Sequence, residues 1–333
     1  MRHRFFAFMG IVLFAVIPVA GQALKPAAKA GDSKTYTPPK TADGQPDLQG
    51  VWSNAISTPL ERPDGLGAKE FYTAEEIAQR AARAAQQGRG GPRQTEAGTV
   101  GDVHYDLSQF GLDRSHSKQA TSERTSLIVG PEGKVPKLLP EAQKRQADRA
   151  ALNRGHLFDG PENRGLSERC IVWPNEGPPM LSPGYNSNLQ IVQGAGYVAI
   201  LQEMIHDVRV IPLDGRPHLP KTIHQWFGDS RGHWEGNTLV VDTTDFTDRY
   251  PFHGSDDKLH VVERFTRTAD DTILYQFTVE DPTAWDKPWS AEIPWVKGDG
   301  LVYEYACQEA NYGMRNILSG ARATETEAAA AAK

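Results

Sequence analysis

The sequence predicts a mainly β protein, built as an antiparallel barrel or sandwich with an N-terminal arm and two peripheral helices. Short β-prone runs follow one another from residue 190 to residue 279, and turn-forming residues separate them. No helical pattern interrupts this series. Strands joined by short turns pair as antiparallel hairpins, and a series of hairpins closes into a barrel or stacks as a sandwich.

The first residues have the order of a secretory signal peptide. Arg2 and Arg4 precede an apolar run from Phe5 to Ala20, and small residues follow as far as Ala23. The run has about 16 residues, fewer than the roughly 20 that a membrane-spanning helix needs. We therefore expect cleavage after Ala23 and a mature protein in the periplasm or outside the cell, free of the membrane.

The remaining chain divides by composition into four segments. A capping box of Thr73 and Glu76 opens one helix of the second segment, and Pro140 stands in the first turn of the other helix. A short strand at Leu48–Trp52 opens that segment. The segments are an extended arm (24–47), an N-terminal wrapping segment (48–164), an antiparallel β domain (165–320) and a disordered tail (321–333).

Composition restricts the partners. The chain has a formal net charge of −6, which argues against a surface for nucleic acid or for an anionic membrane. Its two cysteines, Cys170 and Cys307, fit no metal or redox motif. In an oxidising compartment they predict one structural disulfide, and the alternative is two buried thiols that never meet.

Alternation along two strands places one carboxylate in the core. Leu259, Val261, Glu263 and Phe265 share a face, and Tyr275 lies on the corresponding face of the partner strand. A buried carboxylate either pairs with a buried cation, for which Arg209 is the named candidate, or acquires a raised pKa suited to acid-base chemistry.

Further ionisable residues stand near predicted turns. His206 and Asp207 lie at the bend of a hairpin, where a bent backbone could make them a base and its orienting carboxylate. A polar turn pair without chemistry is the alternative. His206, Asp207, His260 and Glu263 are the predicted catalytic residues. Residues predicted to bind the substrate are cations and aromatics late in the chain: Arg209, Arg216, Arg231, Trp234 and Tyr275.

Histidines raise a metal hypothesis. The chain has ten of them, but no His-Glu-x-x-His or paired-cysteine spacing occurs. A metal site would have to be assembled by the fold from separate elements. No metal ligand and no cofactor is predicted. The dispersed histidines are His206, His218, His224, His233, His253 and His260.

Four stretches resemble signatures of a large family of secreted bacterial proteins, mostly labelled hypothetical. The resemblance covers most of the mature chain and implies export and a shared fold, and it transfers no catalytic role. The stretches are TADGQPDLQGVW (41–52), EMIHDVRVIPLDGRPH (203–218), GDSRGHWEGNTLVV (228–241) and YEYACQEANYGM (303–314).

Three functions remain open. The first is a cofactor-independent acid-base enzyme, a lyase, isomerase or hydrolase acting on a small aromatic or apolar molecule in the barrel. The second is a lipocalin-like periplasmic ligand-binding protein, in which the inward carboxylate is merely paired. The third is a metal-dependent enzyme with a histidine and glutamate site. The reaction, the substrate and the oligomeric state do not follow from the sequence.

Overall fold

A computed structural model describes residues 36–87, 117–309 and 311–332. The predicted signal peptide and the first part of the predicted arm, residues 24–35, lie outside the described residues. The strands are β1 (Gly50–Ser53), β2 (Asn188–Gly194), β3 (Tyr197–Gln202), β4 (Val208–Pro212), β5 (Asp229–Glu235), β6 (Thr238–Thr244), β7 (His260–Ala269), β8 (Thr272–Glu280) and β9 (Trp289–Lys297). The helices are α1 (Ala74–Gln87), α2 (Pro140–Asn153) and α3 (Tyr312–Ala331).

These strands form one antiparallel sheet in the order β4-β3-β2-β1-β9-β8-β7-β6-β5. The sheet curls until its two end strands, β4 and β5, face each other and leave a nearly closed barrel. Side chains bridge the gap between them, since Arg209 on β4 donates to Ser230 on β5. We call this line of contact the seam. The predicted mainly β, antiparallel barrel is confirmed.

Short turns set the hairpins, as the sequence predicts. β5 and β6 are joined through Gly236, whose φ of 59° is one that glycine adopts without strain. β7 and β8 pair along most of their length and connect through Asp270 and Asp271. The register of strands β5 to β8 decides which side chains meet on the outer surface of the barrel.

Aromatic side chains fill the barrel interior. The Tyr275 ring lies 4.8 Å from the Trp295 ring and 5.0 Å from the Phe265 ring, measured between centroids. Trp52 and Phe277 are also fully buried beside them. Rings at these separations are in direct contact. At this level the described interior is a packed core of aromatic rings.

The wrapping segment does more than cover the barrel. β1 lies between β2 and β9 and pairs with both, so the barrel takes a strand from before residue 165, the boundary predicted from composition. Farther on, the Val129 amide donates to Ser290 on β9. Short strands of four residues carry too little pattern to reveal such long-range pairing.

The C-terminal end differs from the prediction. Residues 321–331 belong to α3, whereas the sequence analysis expected a disordered tail there. Alanine has the highest helix propensity of all residues, and this segment is rich in it. The predicted disulfide between Cys170 and Cys307 is confirmed, with 5.7 Å between the two Cα atoms. Among the described residues, no helix has the length and apolar character to cross a bilayer.

Candidate functional site

The four predicted catalytic residues occupy three separate places. Glu263 points into the core, as alternation predicts, and is fully buried. His260 stands three positions earlier on β7 and therefore faces the outside of the barrel. His206 and Asp207 lie at the turn between β3 and β4. The expectation that these residues share one site is wrong, because opposite faces of β7 separate Glu263 from His260.

Glu263 belongs to a closed hydrogen-bond network. Arg209 binds both of its carboxylate oxygens, with Nη1 2.9 Å from Oε1, and Tyr275 donates its hydroxyl to Oε1 at 2.8 Å. Arg209 also donates to Ser230 and Thr243 at 2.9 Å each. Burial raises the pKa of Tyr275 well above its ordinary value. These contacts match the structural salt bridge that the sequence analysis named as the alternative, so Arg209 and Tyr275 serve the core.

His260 is part of a chain of acids and imidazoles on the outer surface. Its Nε2 lies 2.7 Å from Asp242 and its Nδ1 lies 2.7 Å from Glu280. The hydrogen bond to Asp242, helped by the one to Glu280 and opposed by burial, raises the pKa of His260 to about 9. Burial alone would raise the pKa of Asp242, but its bonds to His260 and His218 outweigh burial and lower it. His260 is therefore cationic at neutral pH.

The chain continues to the other side of Asp242. His218 lies between two aspartates, with Nε2 2.7 Å from Asp242 and Nδ1 3.0 Å from Asp229. Arg231 donates to the second oxygen of Asp229 at 2.7 Å. Asp229, His218 and a third residue, Asp245, have ligand atoms that all lie within 4.8 Å of one another. In the part of the chain that the structure describes, these three residues could hold a metal ion.

The turn that carries His206 and Asp207 has an unusual backbone. Ile205 and His206 have φ values of 57° and 53°, a region that β-branched residues such as isoleucine rarely occupy. The His206 ring contacts the carbonyl of Tyr305 at 3.2 Å. Glu203 helps to hold the turn, since it accepts from the side chain of Asn188 at 2.7 Å. His206 itself is exposed, and Asp207 lies at the seam.

A cleft of about 1170 Å³ opens along the seam. Its apolar lining comes from Val208 and Val210 on β4 and from the Trp226 and Phe227 rings. Its charged lining includes Asp207, Asp229, Arg231 and Arg249. Two of the predicted ligand-binding arginines, Arg209 and Arg231, also reach this cleft, but each already holds a carboxylate.

The other predicted ligand-binding residues lie elsewhere. Arg216 is exposed, binds Asp214, and is not part of the cleft lining. Trp234 is half-buried at a separate pocket of about 360 Å³, which it shares with Tyr197. The cleft residues that sequence reasoning missed, Trp226 among them, lie in an irregular segment where no periodicity indicates which way a side chain points.

One buried acid behind the cleft also escaped prediction. Glu176 is fully buried, and its Oε2 accepts from the Trp173 amide at 2.7 Å while Oε1 has no hydrogen-bond partner among the described residues. Burial, with a smaller effect of the nearby Asp207 charge, raises the pKa of Glu176 to about 8. A Cβ on Gly177 would meet the Phe227 ring at 1.9 Å, so the turn that carries Glu176 backs the cleft wall.

Near this turn, the pKa values of one hydroxyl group and one further carboxyl group are also raised. Burial raises the pKa of Tyr250 to about 12, and its hydroxyl donates to the Trp173 carbonyl at 3.0 Å. Burial also raises the pKa of Asp207, although the neighbouring His206 opposes it. The seam therefore holds two carboxyl groups, Glu176 and Asp207, that resist ionisation. Both residues lie in loops, where the sequence pattern does not indicate which side chains are buried.

Comparisons with known proteins add no assignment: no family model, no curated protein and no solved structure matches the chain.

Proposed function

We propose that the protein binds a small aromatic molecule with a negative charge in the seam cleft, after export to the periplasm or the medium. The supporting observation is the cleft lining, which includes the aromatic residues Trp226 and Phe227 and the cation Arg249. Pockets for small ligands combine apolar walls with a few polar groups that fix orientation. A nearly closed barrel is compatible with ligand binding. Because aromatic side chains fill its core, we place the site outside the core, in the seam cleft.

The cleft lining carries charges of both signs, and Arg249 favours an anionic group on the ligand. Asp256 and Asp257 in the lining are paired with Arg145 and Lys258, and Asp248 is exposed to water. Arg209 and Arg231 are neutralised by Glu263 and Asp229. Arg249 has no ion pair among the described residues, so its charge remains open to a ligand. A guanidinium binds a carboxylate, phenolate or sulfonate through charge-assisted hydrogen bonds.

Titration with 1-anilinonaphthalene-8-sulfonate tests this proposal, because the probe joins aromatic rings to one sulfonate. We expect saturable binding of one equivalent, which Arg249→Ala weakens roughly fivefold or more. Arg216→Ala is the matched control, since Arg216 is an exposed arginine away from the cleft. Equal affinities for the two variants, or no saturable binding to the wild type, would contradict the proposal.

The second candidate is an acid-base enzyme that uses the same cleft. The pKa of about 8 for Glu176 favours it, because a carboxyl group that stays protonated near neutral pH can donate a proton. Burial raises the pKa of Asp207 in the same direction. In this candidate, Asp207 remains a catalytic residue, as the sequence predicts. Glu176 takes the acid-base role that the sequence assigns to Glu263. The resemblance to secreted bacterial proteins remains a prediction and favours neither candidate.

Native mass spectra of the exported protein separate the two candidates. A carrier should retain one ligand of the same mass in the wild type and in Glu176→Gln. An enzyme should retain an unconverted molecule in the variant only, because the variant binds substrate but cannot transfer the proton. The matched control is Glu235→Gln, an exposed glutamate away from the cleft, which should leave the wild-type spectrum unchanged.

A further inference from the structure

We propose that His218, Asp229 and Asp245 form a site for one divalent transition-metal ion of the zinc type. The site does not depend on the seam cleft taking a ligand. It joins three elements, because His218 precedes β5, Asp229 opens β5, and Asp245 follows β6. Its ligand atoms lie within 4.8 Å of one another. Asp229 also lines the cleft, which places the site at the cleft wall.

The first argument is the spacing of the ligand atoms. His218 Nδ1 and Asp229 Oδ2 are 3.0 Å apart. Two ligand atoms bound to one zinc ion at about 2.0–2.1 Å lie roughly 3 Å from each other, so this pair has the separation of neighbouring zinc ligands. The Asp245 carboxylate has an oxygen within 4.8 Å of both and completes a set of three.

The second argument is the orientation of the His218 ring. Its Nε2 faces Asp242 Oδ1 at 2.7 Å, which turns Nδ1 toward Asp229 Oδ2 at 3.0 Å. A carboxylate that orients a metal-bound histidine from its far nitrogen, as Asp242 would, is the usual outer partner of such a ligand.

The third argument is uncompensated charge. Asp229 is 5% exposed and Asp245 is 8% exposed, so both carboxylates are nearly buried. Asp229 has Arg231 as its counter-ion, and it also accepts from the Leu219 amide at 3.0 Å. Asp245 accepts from the Thr244 hydroxyl and forms no ion pair with any residue that the structure describes. A buried carboxylate without a cation is costly, which favours a cation bound beside Asp245.

The donor set selects the class of metal. One imidazole nitrogen with two carboxylates suits Zn²⁺ and its first-row neighbours, whereas Ca²⁺ and Mg²⁺ prefer oxygen ligands alone. Three protein ligands leave a position open in a four-coordinate zinc site. A ligand or a water molecule would occupy that position, so the site is of the kind that binds or activates small molecules.

Isothermal titration with ZnCl₂ tests the site, using untagged, disulfide-intact protein first dialysed against a chelator. We expect one equivalent to bind the wild type, Asp245→Asn to weaken binding at least tenfold, and Asp242→Asn to weaken it about tenfold through His218. Asp286→Asn, an exposed aspartate far along the chain, is the matched control and should bind as the wild type does.

Two outcomes would overturn the proposal. One is a wild type with no saturable Zn²⁺ binding, which would leave His218 only as a hydrogen-bond partner of its two aspartates. The other is equal affinity in the wild type, Asp245→Asn and His218→Gln. If the variants fold poorly, X-ray absorption of the zinc-loaded wild type decides instead. It should show one imidazole among oxygen ligands, and a spectrum with sulfur or with several imidazoles would contradict the assignment.

Discussion

At the scale of single residues, the Arg209–Glu263 pair is sealed in the core, where both charges depend on each other. Removing one partner of a buried pair leaves an uncompensated charge, and this costs more than the intact pair contributes. Arg209 holds Glu263 through two nitrogens and also donates to the hydroxyls of Ser230 and Thr243. The pair therefore fixes how β4, β5 and β7 meet at the seam.

Glu263→Gln should destabilise the fold by about 3 to 5 kcal/mol, because it leaves Arg209 buried without a counter-ion. Urea denaturation followed by tryptophan fluorescence measures this loss. Glu235→Gln is the matched control: Glu235 pairs with Arg264 at 2.8 Å, but on the exposed surface, and should cost less than about 1 kcal/mol. Equal losses in the two variants would show that burial does not set the value of the Arg209 pair.

Glu176 predicts a pH dependence of stability. Its pKa of about 8 in the folded protein exceeds the ordinary value of 4.5, so between those pH values the folded state holds a proton that the unfolded state has lost. The stability it contributes is present below pH 4.5 and is lost as pH rises toward 8, by on the order of 3 kcal/mol. Glu176→Gln should lack this loss, as unfolding free energies at pH 5, 6.5 and 8 would show. Parallel curves for the two proteins would contradict the raised pKa.

At the scale of elements, the disulfide fixes the C-terminal segment to the body. Cys170 and Cys307 are 137 residues apart in the chain. Asn311 adds hydrogen bonds at the start of α3, donating to the Glu168 carbonyl at 2.8 Å. α3 itself has no buried residues. Its position therefore depends on the disulfide and the contacts beside it more than on packing.

Replacing both cysteines by alanine should release this segment while the sheet remains. In hydrogen exchange, we expect faster exchange over residues 301–332 and little change in β7 and β8, whose amides pair with each other. Closing so long a loop also stabilises the whole chain, by roughly 4 to 5 kcal/mol in the chain-entropy model. Unchanged exchange across the C-terminal segment would mean that other contacts hold it.

The same scale shows what the sequence could and could not predict. Strict alternation identified β7 and β8 and turned Glu263 inward. Cysteine number identified the disulfide. The sequence could not predict the surface chain in which Asp242 binds His260 and His218, and His218 binds Asp229. This chain depends on the register of β5, β6 and β7 and on the irregular segment that carries His218. Registers between strands are long-range properties that local patterns leave open.

At the scale of the whole molecule, the aromatic core and the proposed site occupy different parts of the barrel. The aromatic rings of the core pack against one another. The ionisable groups of the cleft and of the surface chain of aspartates and histidines lie outside this core, along the seam and on the neighbouring strands. The sheet is interrupted at one place in its order, between β4 and β5. A gap in the backbone pairing leaves room there for a cleft, so architecture and chemistry point to the same location.

A crystal structure of the protein with 1-anilinonaphthalene-8-sulfonate tests the central claim most directly. The account predicts density for the probe in the seam cleft, with its rings against Trp226 and Phe227 and its sulfonate toward Arg249. Density among Phe265, Tyr275 and Trp295 inside the barrel would contradict it, because those rings would have to separate to admit the probe.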